Sequence, residues 1–457
     1  MSLASIDPAS GRLVARWPAD GPAGIEAALR RSAAAFAEWS RASFEARAGV
    51  LRRAATLLRA EADEHARRMA EEMGKPLPQG RAEVEKCAWA CEHYAAIAAA
   101  ELADQPVETE GFASHVACLP LGPVLAIMPW NFPFWQVLRC AAPNLMAGNT
   151  LLLKHASNVQ GCARAIESLL RRAGLPEGAF VHVAVEGAAV AALIARPEIA
   201  AVTLTGSTQA GRAVGRAAGE ALKKSVLELG GSDPYVVLAD ADVERAAESC
   251  VASRLINTGQ SCIAAKRFIV VEAVRAGFTE AVVERMRAAT QGPPLQQPDV
   301  ALGPQARADL RDELHAQVEG SVARGARLLL GGRRPPGEGA FYPPTVLDDV
   351  RPGVPAFDEE TFGPVAAIVP ARDEEQAIAL ANAGGFGLGA ALFTADTARG
   401  ARLAAERLEA GSVFVNDFVR SDPRLPFGGI KASGYGRELG TFGLREFVNV
   451  KTVCVKR

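Results

Sequence analysis

A thiol and a carboxylate stand at the centre of the chemistry this chain can carry. Cys262 closes Gly259-Gln260-Ser261-Cys262, and Glu228 sits within Leu227-Glu228-Leu229-Gly230-Gly231. A thiolate is a strong nucleophile once its pKa is lowered, and a carboxylate can take a proton from water. Each also has a plainer reading. Most buried cysteines are small core hydrophobes, and a Glu after a Leu is commonly a solvated strand end. Asn131, in Pro129-Trp130-Asn131-Phe132-Pro133, offers a side-chain N–H for a developing oxyanion. Such a donor is worth on the order of 3 kcal/mol, although Asn between prolines is otherwise a turn residue.

Binding groups lie on both sides of these. Gly206-Ser207-Thr208-x-x-Gly211 follows the apolar run Ala200–Thr205 and opens a helical segment. A strand, a glycine turn and a helix N-terminus form an anion site, because free N–H groups and the helix dipole face the ligand. A tight turn with no ligand would look the same. Lys154 ends the strand-like run Thr150–Lys154 and could supply a charge or merely be a solvated strand end.

Positioning these residues takes two α/β units. Residues 21–103 are alanine-rich with apolar residues at helical intervals, interrupted at Gly74-Lys75-Pro76. Strand-like runs then follow at Gly122–Met128, Thr150–Lys154, Phe180–Val185, Ala200–Thr205, Ser225–Leu229 and Tyr235–Leu238, with helical segments near 158–173, 187–196 and 208–222. Further strands at Phe268–Val271, Arg327–Leu330, Val365–Val369, Ala390–Phe393 and Ser412–Val415 alternate with helical 241–256, 273–289, 305–323 and 373–382. The pattern predicts two doubly wound parallel-sheet domains of α/β class, with Cys262 at the cleft between them. The expected division is 1–101 with 121–231 for a dinucleotide, 232–435 for catalysis, and extended segments 102–120 and 436–457 for oligomerisation.

Composition excludes several other classes. In 457 residues, 49% are hydrophobic and 22% charged, with a net charge of −2 and no basic run, which argues against nucleic acid or an acidic membrane as partner. Met1 to Trp17 has no apolar core and does not read as a signal peptide. The stretch Gly111 to Leu138 lacks Asp, Glu, Lys and Arg, but four prolines break it, so no membrane helix is expected. Eight cysteines without a disulfide pattern suggest reduced thiols and a cytoplasmic setting. Cys87, Cys91 and His93 match no common zinc spacing, and no metal site is expected.

Together, Pro129–Pro133, Gly206–Gly211, Leu227–Gly231, Gly259–Cys262, Glu359-Glu360-Thr361-Phe362-Gly363-Pro364 and the run from Pro426 to Glu438 resemble the aldehyde dehydrogenase superfamily over nearly the whole chain. The resemblance implies Cys262 as nucleophile and Glu228 as base for water. It implies Asn131, with the Cys262 backbone N–H, as oxyanion hole. It assigns Trp130, Lys154, Ser157, Gly206, Ser207, Gly211, Leu229, Glu360 and Phe362 to the cofactor, Glu360 holding the nicotinamide ribose. The glycines of the last motif read as structural. Many NAD-specific relatives carry Glu where this chain has Ser157. A Glu would repel a 2′-phosphate, whereas Ser leaves room and Lys154 supplies charge, so NADP is expected to be preferred and NAD accepted.

Arg139 bears on the substrate. Between Gly111 and Leu153 it is the only Asp, Glu, Lys or Arg, and a lone cation in so apolar a stretch needs an anionic partner. Trp135 and Arg139 share a helical face, on the helix that lines the aldehyde entrance in the family. Two partners are open: a substrate carboxylate or an internal protein carboxylate. Ser421, on the opposite wall, and Ser261 complete the substrate candidates. Pro-Phe-Trp-Gln-Val-Leu-Arg, Lys-His-Ala-Ser-Asn and Asn-Thr-Gly-Gln-Ser-Cys look like the short bacterial succinate-semialdehyde dehydrogenases, which implies NAD(P)+-dependent oxidation of an aldehyde acid. Glutarate semialdehyde, a neutral aliphatic aldehyde, or thiol-esterase action without cofactor are the alternatives. Ser261 and Ile263 flank Cys262, so the second thiol that some of these relatives place near the nucleophile is not expected. The alternating tail Val450–Val455 and the extended 107–118 region suggest a homodimer or homotetramer.

Overall fold

The computed structural model describes residues 2–456. Four helices, Pro22–Trp39, Phe44–Ala60, Ala62–Met73 and Leu77–Glu101, precede the sheets, behind a hairpin of Ser2–Ile6 and Leu13–Pro18. Ser43 caps the second helix by accepting from the Ala46 N–H at 3.2 Å. Gly74, left-handed at φ 76, stops the third, and Pro76 prevents its continuation. The break at 74–76 expected from sequence is therefore a helix boundary, with Lys75 buried inside it.

The first sheet has six strands in the order Gly434–Tyr435, Lys224–Glu228, Ala201–Thr205, Pro123–Met128, Thr150–His155, Phe180–His182. All neighbours are parallel except Gly434–Tyr435, which runs antiparallel to Lys224–Glu228. Every residue of Pro123–Met128 and Ala201–Thr205 is buried, which is why these strands are continuous apolar runs rather than alternating ones. From Pro123–Met128 the chain winds one way to Phe180–His182, then returns to wind the other way. The reversal lies between Pro123–Met128 and Ala201–Thr205, and ligands enter such folds at the carboxyl ends of these two strands. Pro129-Trp130-Asn131 and Gly206-Ser207 occupy those ends.

The second sheet has seven strands, ordered Arg327–Leu330, Thr345–Asp348, Val365–Ala371, Ala265–Val271, Asp233–Val237, Gly389–Phe393, Ser412–Val415. Only the edge strand Arg327–Leu330 is antiparallel. A third sheet joins Gln105–Thr109, Phe112–Pro120 and Val448–Lys456, the last two paired along their full length.

The α/β architecture expected from the alternation is present, with local differences. The strand at 180 ends at His182, and the helix expected at 187–196 is one tight turn followed by Val190–Ile194. Residues 434 and 435, assigned from sequence to the catalytic unit, pair with the first sheet. Gly434 permits this, because a Cβ there would lie 1.9 Å from the Leu227 carbonyl oxygen. The strand Thr345–Asp348 and the helix Thr397–Glu406 have no counterpart in the sequence reading. Among the described residues, no helix is long and apolar enough to cross a membrane.

Candidate active site

The loop carrying Cys262 is held in an unusual backbone. After the helix Val243–Leu255, Asn257, Thr258 and Gly259 all take left-handed φ values of 53, 56 and 76. A β-branched Thr rarely adopts this region, so surrounding bonds must impose it. Gly303 N–H donates to Thr258 Oγ1 at 3.0 Å, and Asn257 N–H donates to Gln79 Oε1 at 2.6 Å. Gly259 is required by space as well, since a Cβ would sit 2.2 Å from the Gly363 oxygen. Past the turn, Lys266 Nζ donates to the carbonyls of Ser261 and Cys262, each at 2.8 Å.

The same loop is tied to Asn131. Asn257 Nδ2 donates to the Asn131 carbonyl at 2.7 Å and to the Gln260 carbonyl at 3.2 Å. Asn131 Nδ2 donates to the Gln260 carbonyl at 3.1 Å. An amide nitrogen carries two hydrogens, so this bond orients the group and leaves one N–H to give. The buried Lys75 donates to the Asn131 carbonyl at 2.8 Å and is ion-paired with Glu83. Glu83 in turn accepts from the N–H groups of Phe134 and Trp135, both at 2.9 Å, at the start of the helix Trp135–Ala147. A carboxylate there complements the helix dipole. Asn257, Lys75 and Glu83 were not singled out from sequence. Nothing in their local spacing marks them, because their partners are distant in the chain.

Cys262 forms part of the wall of two cavities. One, of 520 Å³, is lined by Trp130, Asn131, Gly206, Ser207, Glu360 and Phe362 among others. The other, of 290 Å³, is a mainly apolar tunnel that includes Lys86, Trp135, Arg139, Ser261, Ser421 and Phe427. Gln136 is the other residue that lines both. Burial pushes the Cys262 thiol up to about 12, with the cations of Lys266 and Arg139 pulling the other way.

Glu228 is buried on the last residue of its strand, and neither carboxylate oxygen has a hydrogen-bond partner. Burial, reinforced by the Glu438 carboxylate, pushes its carboxyl well above the usual range, against the pull of Arg139 and Arg437. Room for it comes from Gly428, where a Cβ would lie 2.7 Å from Glu228 Oε1.

The larger cavity fits a dinucleotide. It opens at the strand reversal, beside the N-terminus of the helix Thr208–Glu220, which Ser207 caps by accepting from the Ala210 N–H. Leu229, Trp130 and Phe362 give it apolar walls, the two rings edge to face at 5.8 Å. Glu360 accepts from the Gly231 N–H at 3.0 Å and lies 3.5 Å from Lys266. Lys154 and Ser157 lie at and just beyond the end of the adjacent strand, outside this cavity's lining, Lys154 half-buried and Ser157 exposed. Gly211, assigned to the cofactor from the motif, is not on the cavity wall. It faces Leu229, whose Cδ2 would lie 2.4 Å from a Cβ, so its smallness serves helix–strand packing.

Arg139 lines the tunnel, but its charge is met internally. Its Nη2 lies 2.5 Å from Glu438 Oε2 and donates to Thr205 Oγ1 at 3.1 Å, with the guanidinium over the Phe427 ring. Of the two partners the sequence left open, the structure supplies the protein carboxylate. Ser421 and Ser261 are on the tunnel wall, and Ser421 Oγ accepts from Lys86 Nζ at 2.8 Å. Lys86 was missed from sequence because its helix reads as an ordinary charged surface.

Residues 1–453 match the aldehyde dehydrogenase family. The chain belongs to that family. Among similar proteins, this aldehyde dehydrogenase is 51% identical over 453 residues to Sad of Escherichia coli (strain K12), named an NAD(P)+ succinate semialdehyde dehydrogenase, covering 99% of this chain and 98% of that one. It is 47% identical, over the full length of both, to a probable NADP+ succinate-semialdehyde dehydrogenase of Synechocystis sp. (strain ATCC 27184 / PCC 6803 / Kazusa). The fold superimposes with a TM-score of 0.97 on the succinic semialdehyde dehydrogenase of Streptococcus pyogenes in complex with NADP+, 34% identical and covering 100% of each chain.

Proposed function

We propose that this aldehyde dehydrogenase oxidises succinate semialdehyde to succinate, with NADP+ the preferred acceptor and NAD+ also used. The observation that carries the reading is the position of Cys262, a shared wall between a cavity suited to a dinucleotide and an apolar tunnel with cations along it. Relatives named for this substrate, 51% and 47% identical along the chain, support it.

In this reading the Cys262 thiolate attacks the aldehyde carbon, and the free N–H of Asn131 with the Cys262 backbone N–H takes up the charge on oxygen. Trp130, Gly206, Ser207, Leu229, Glu360 and Phe362 would hold the dinucleotide, with Lys154 and Ser157 at its adenosine end. When bound, that cofactor would supply the acceptor for the hydride lost from the attacked carbon. The carbon remains on Cys262 as a thioester, and Glu228 takes the proton of the water that hydrolyses it. A carboxylate whose pKa is raised by burial is the stronger base for this step.

The division into a cofactor unit (1–101 and 121–231), a catalytic unit beginning at 232 and extended segments for assembly belongs to the same reading. So does a homo-oligomer, since Gln105–Thr109 and Val448–Lys456 are largely exposed edge strands. A cytoplasmic setting agrees with eight unpaired cysteines.

The test is kcat/KM with NADP+ for succinate semialdehyde against butanal, which lacks the carboxylate. A preference of about tenfold or more, equivalent to about 1.4 kcal/mol in transition-state binding, is expected. Equal values would leave an aldehyde dehydrogenase whose substrate is a neutral aldehyde.

A further inference from the structure

The two donors that would meet an oxyanion come from different sheets. Asn131 follows the strand Pro123–Met128 of the first, and Cys262 precedes the strand Ala265–Val271 of the second. Both must aim at one atom, and a misplacement of about 1 Å can cost about 100-fold in rate. One short stretch, from Gly74 to Glu83, touches both sides. Towards Cys262, Gln79 Oε1 accepts from the Asn257 N–H at 2.6 Å. Gly303, whose N–H donates to Thr258 Oγ1, packs so closely here that a Cβ on it would lie 1.9 Å from the Gly74 oxygen. Towards Asn131, Lys75 Nζ donates to the Asn131 carbonyl at 2.8 Å and lies 3.9 Å from the centre of the Phe132 ring. Asn257 Nδ2 takes the second lone pair of that carbonyl at 2.7 Å, so the peptide after Asn131 is pinned from two sides.

We propose that Lys75 and Glu83 are positioning residues that hold Asn131 in register with Cys262 for the charge developing on the aldehyde oxygen. The proposal rests on the oxyanion role put forward for Asn131 above. Among the described residues, Lys75 Nζ bonds only Glu83 and the Asn131 carbonyl. Glu83 aims it, being fixed in turn by the N–H groups of Phe134 and Trp135 at 2.9 Å each. The chain of bonds therefore runs from the start of the helix Trp135–Ala147, through two buried charges, to the backbone of Asn131. A buried ion pair adds little net stability, because desolvation offsets the attraction. What it supplies is a fixed direction. A long apolar side chain at 75 would fill the same space and leave the Asn131 carbonyl with Asn257 alone. Asn131 Nδ2 would then keep its bond to Gln260 but lose the backbone anchor that sets its reach.

The experiment compares the wild type, the neutral pair variant Lys75→Met with Glu83→Gln, Asn131→Ala, and the triple variant. Gln at 83 keeps an acceptor for the Phe134 and Trp135 N–H groups. The readouts are kcat/KM for succinate semialdehyde and butanal, the NADP+ dissociation constant, and the rate at which iodoacetamide alkylates Cys262. Alkylation develops no oxyanion and reports the nucleophile's loop alone. Asn131→Ala is expected to lower kcat/KM by about 100- to 1000-fold. The pair variant should lower it by about 10- to 100-fold, equally for both aldehydes, since the charge develops on the same oxygen. The triple variant should be within about twofold of Asn131→Ala, because the pair then has nothing to position. Alkylation and NADP+ binding should stay at the wild-type level in the pair variant. The proposal is overturned if the pair variant keeps full kcat/KM, if its loss persists without Asn131, or if alkylation falls by the same factor. An Asn131→Ala enzyme as fast as the wild type would refute the oxyanion role itself, and the pair's role with it. Should the pair variant not fold, Glu83→Asp, which draws the carboxylate back by one methylene, is read by the same cycle with an expected loss of about fivefold.

Discussion

Arg139 Nη2 and Glu438 Oε2 face each other at 2.5 Å, joining the helix Trp135–Ala147 to the segment after the last strand of the first sheet. Both side chains are buried, and burial pushes the carboxyls of Glu228 and Glu438 up while Arg139 lowers both, the Glu438 charge adding to the rise at Glu228. Two carboxyls thus share one guanidinium, and one of them retains its proton more readily than an isolated carboxylate would. This cluster sits directly beside the tunnel, so Arg139 acts on the site whether or not substrate touches it.

Removing the cation should therefore damage more than substrate binding. Arg139→Met leaves Glu438 buried and unpaired, a loss of roughly 3–5 kcal/mol for a broken buried pair. A clear fall in melting temperature is expected, and Glu438→Gln added to Arg139→Met should recover more than half of it. An Arg139→Met enzyme that melts with the wild type would mean that the pair contributes nothing.

Glu228 makes a prediction with a definite sign in pH. Its folded pKa lies above its unfolded value, because burial penalises the charged form. Below the unfolded pKa, about 4.3, both states are protonated and burial costs nothing extra. Above it, folding must take up a proton, and stability falls as pH rises toward the folded pKa. Glu228→Gln carries no such liability. Its melting temperature should exceed the wild type's at pH 8, with the gap closing as pH falls toward 4. The same variant should give a full first-turnover burst of reduced cofactor and then stall as acyl-enzyme. Loss of the burst would remove Glu228 from the hydrolytic step.

The parts of this arrangement that were legible in the sequence are those written locally. Continuous apolar runs such as Pro123–Met128 revealed buried parallel strands, and the residues just after them, Asn131, Gly206 and Ser207, fell at the crevice for that reason. The partners that lie far away in the chain were not legible. Arg139 could be recognised as a cation needing an anion, but Glu438 lies in a glycine-rich motif that reads as structural. Lys75, Glu83 and Lys86 look like ordinary charges on alanine-rich helices, and only packing turns them toward Asn131 and the tunnel. Gly211 is ambiguous for the opposite reason. A motif glycine beside a phosphate turn and one that clears Leu229 have the same local sequence.

The nucleophile's ionisation can be followed directly. With burial pushing the Cys262 thiol up to about 12, a thiol that is mostly protonated at neutral pH is expected in the free enzyme. Since the thiolate is the reacting form, its alkylation by iodoacetamide should quicken about tenfold per pH unit from 7 to 10 without a plateau. Lys266→Met removes a cation that lowers this pKa and that also anchors the Ser261 and Cys262 carbonyls, so alkylation of that variant should be slower at each pH. A plateau below pH 9 in the wild type would show that Cys262 meets more water than its half-buried place between the two cavities implies.

Cofactor choice is expected to turn on position 157. Ser157 is exposed, two residues beyond the strand Thr150–His155, and Lys154 near its end is a half-buried cation with no carboxylate partner among the described residues. A 2′-phosphate brought there meets positive charge and no competing anion. Ser157→Glu places a carboxylate in that space, which repels the phosphate and can accept from a free 2′-hydroxyl instead. The ratio of kcat/KM for NADP+ to that for NAD+ should fall by about 10- to 100-fold in Ser157→Glu, the range expected of a single charge-assisted hydrogen bond. Lys154→Met should lower the same ratio through the loss of attraction alone, and the double variant should add little to Ser157→Glu, since both act on one phosphate. If Ser157→Glu leaves the ratio where it was, the 2′-phosphate is read elsewhere, and the choice between the two cofactors does not depend on this corner of the first sheet.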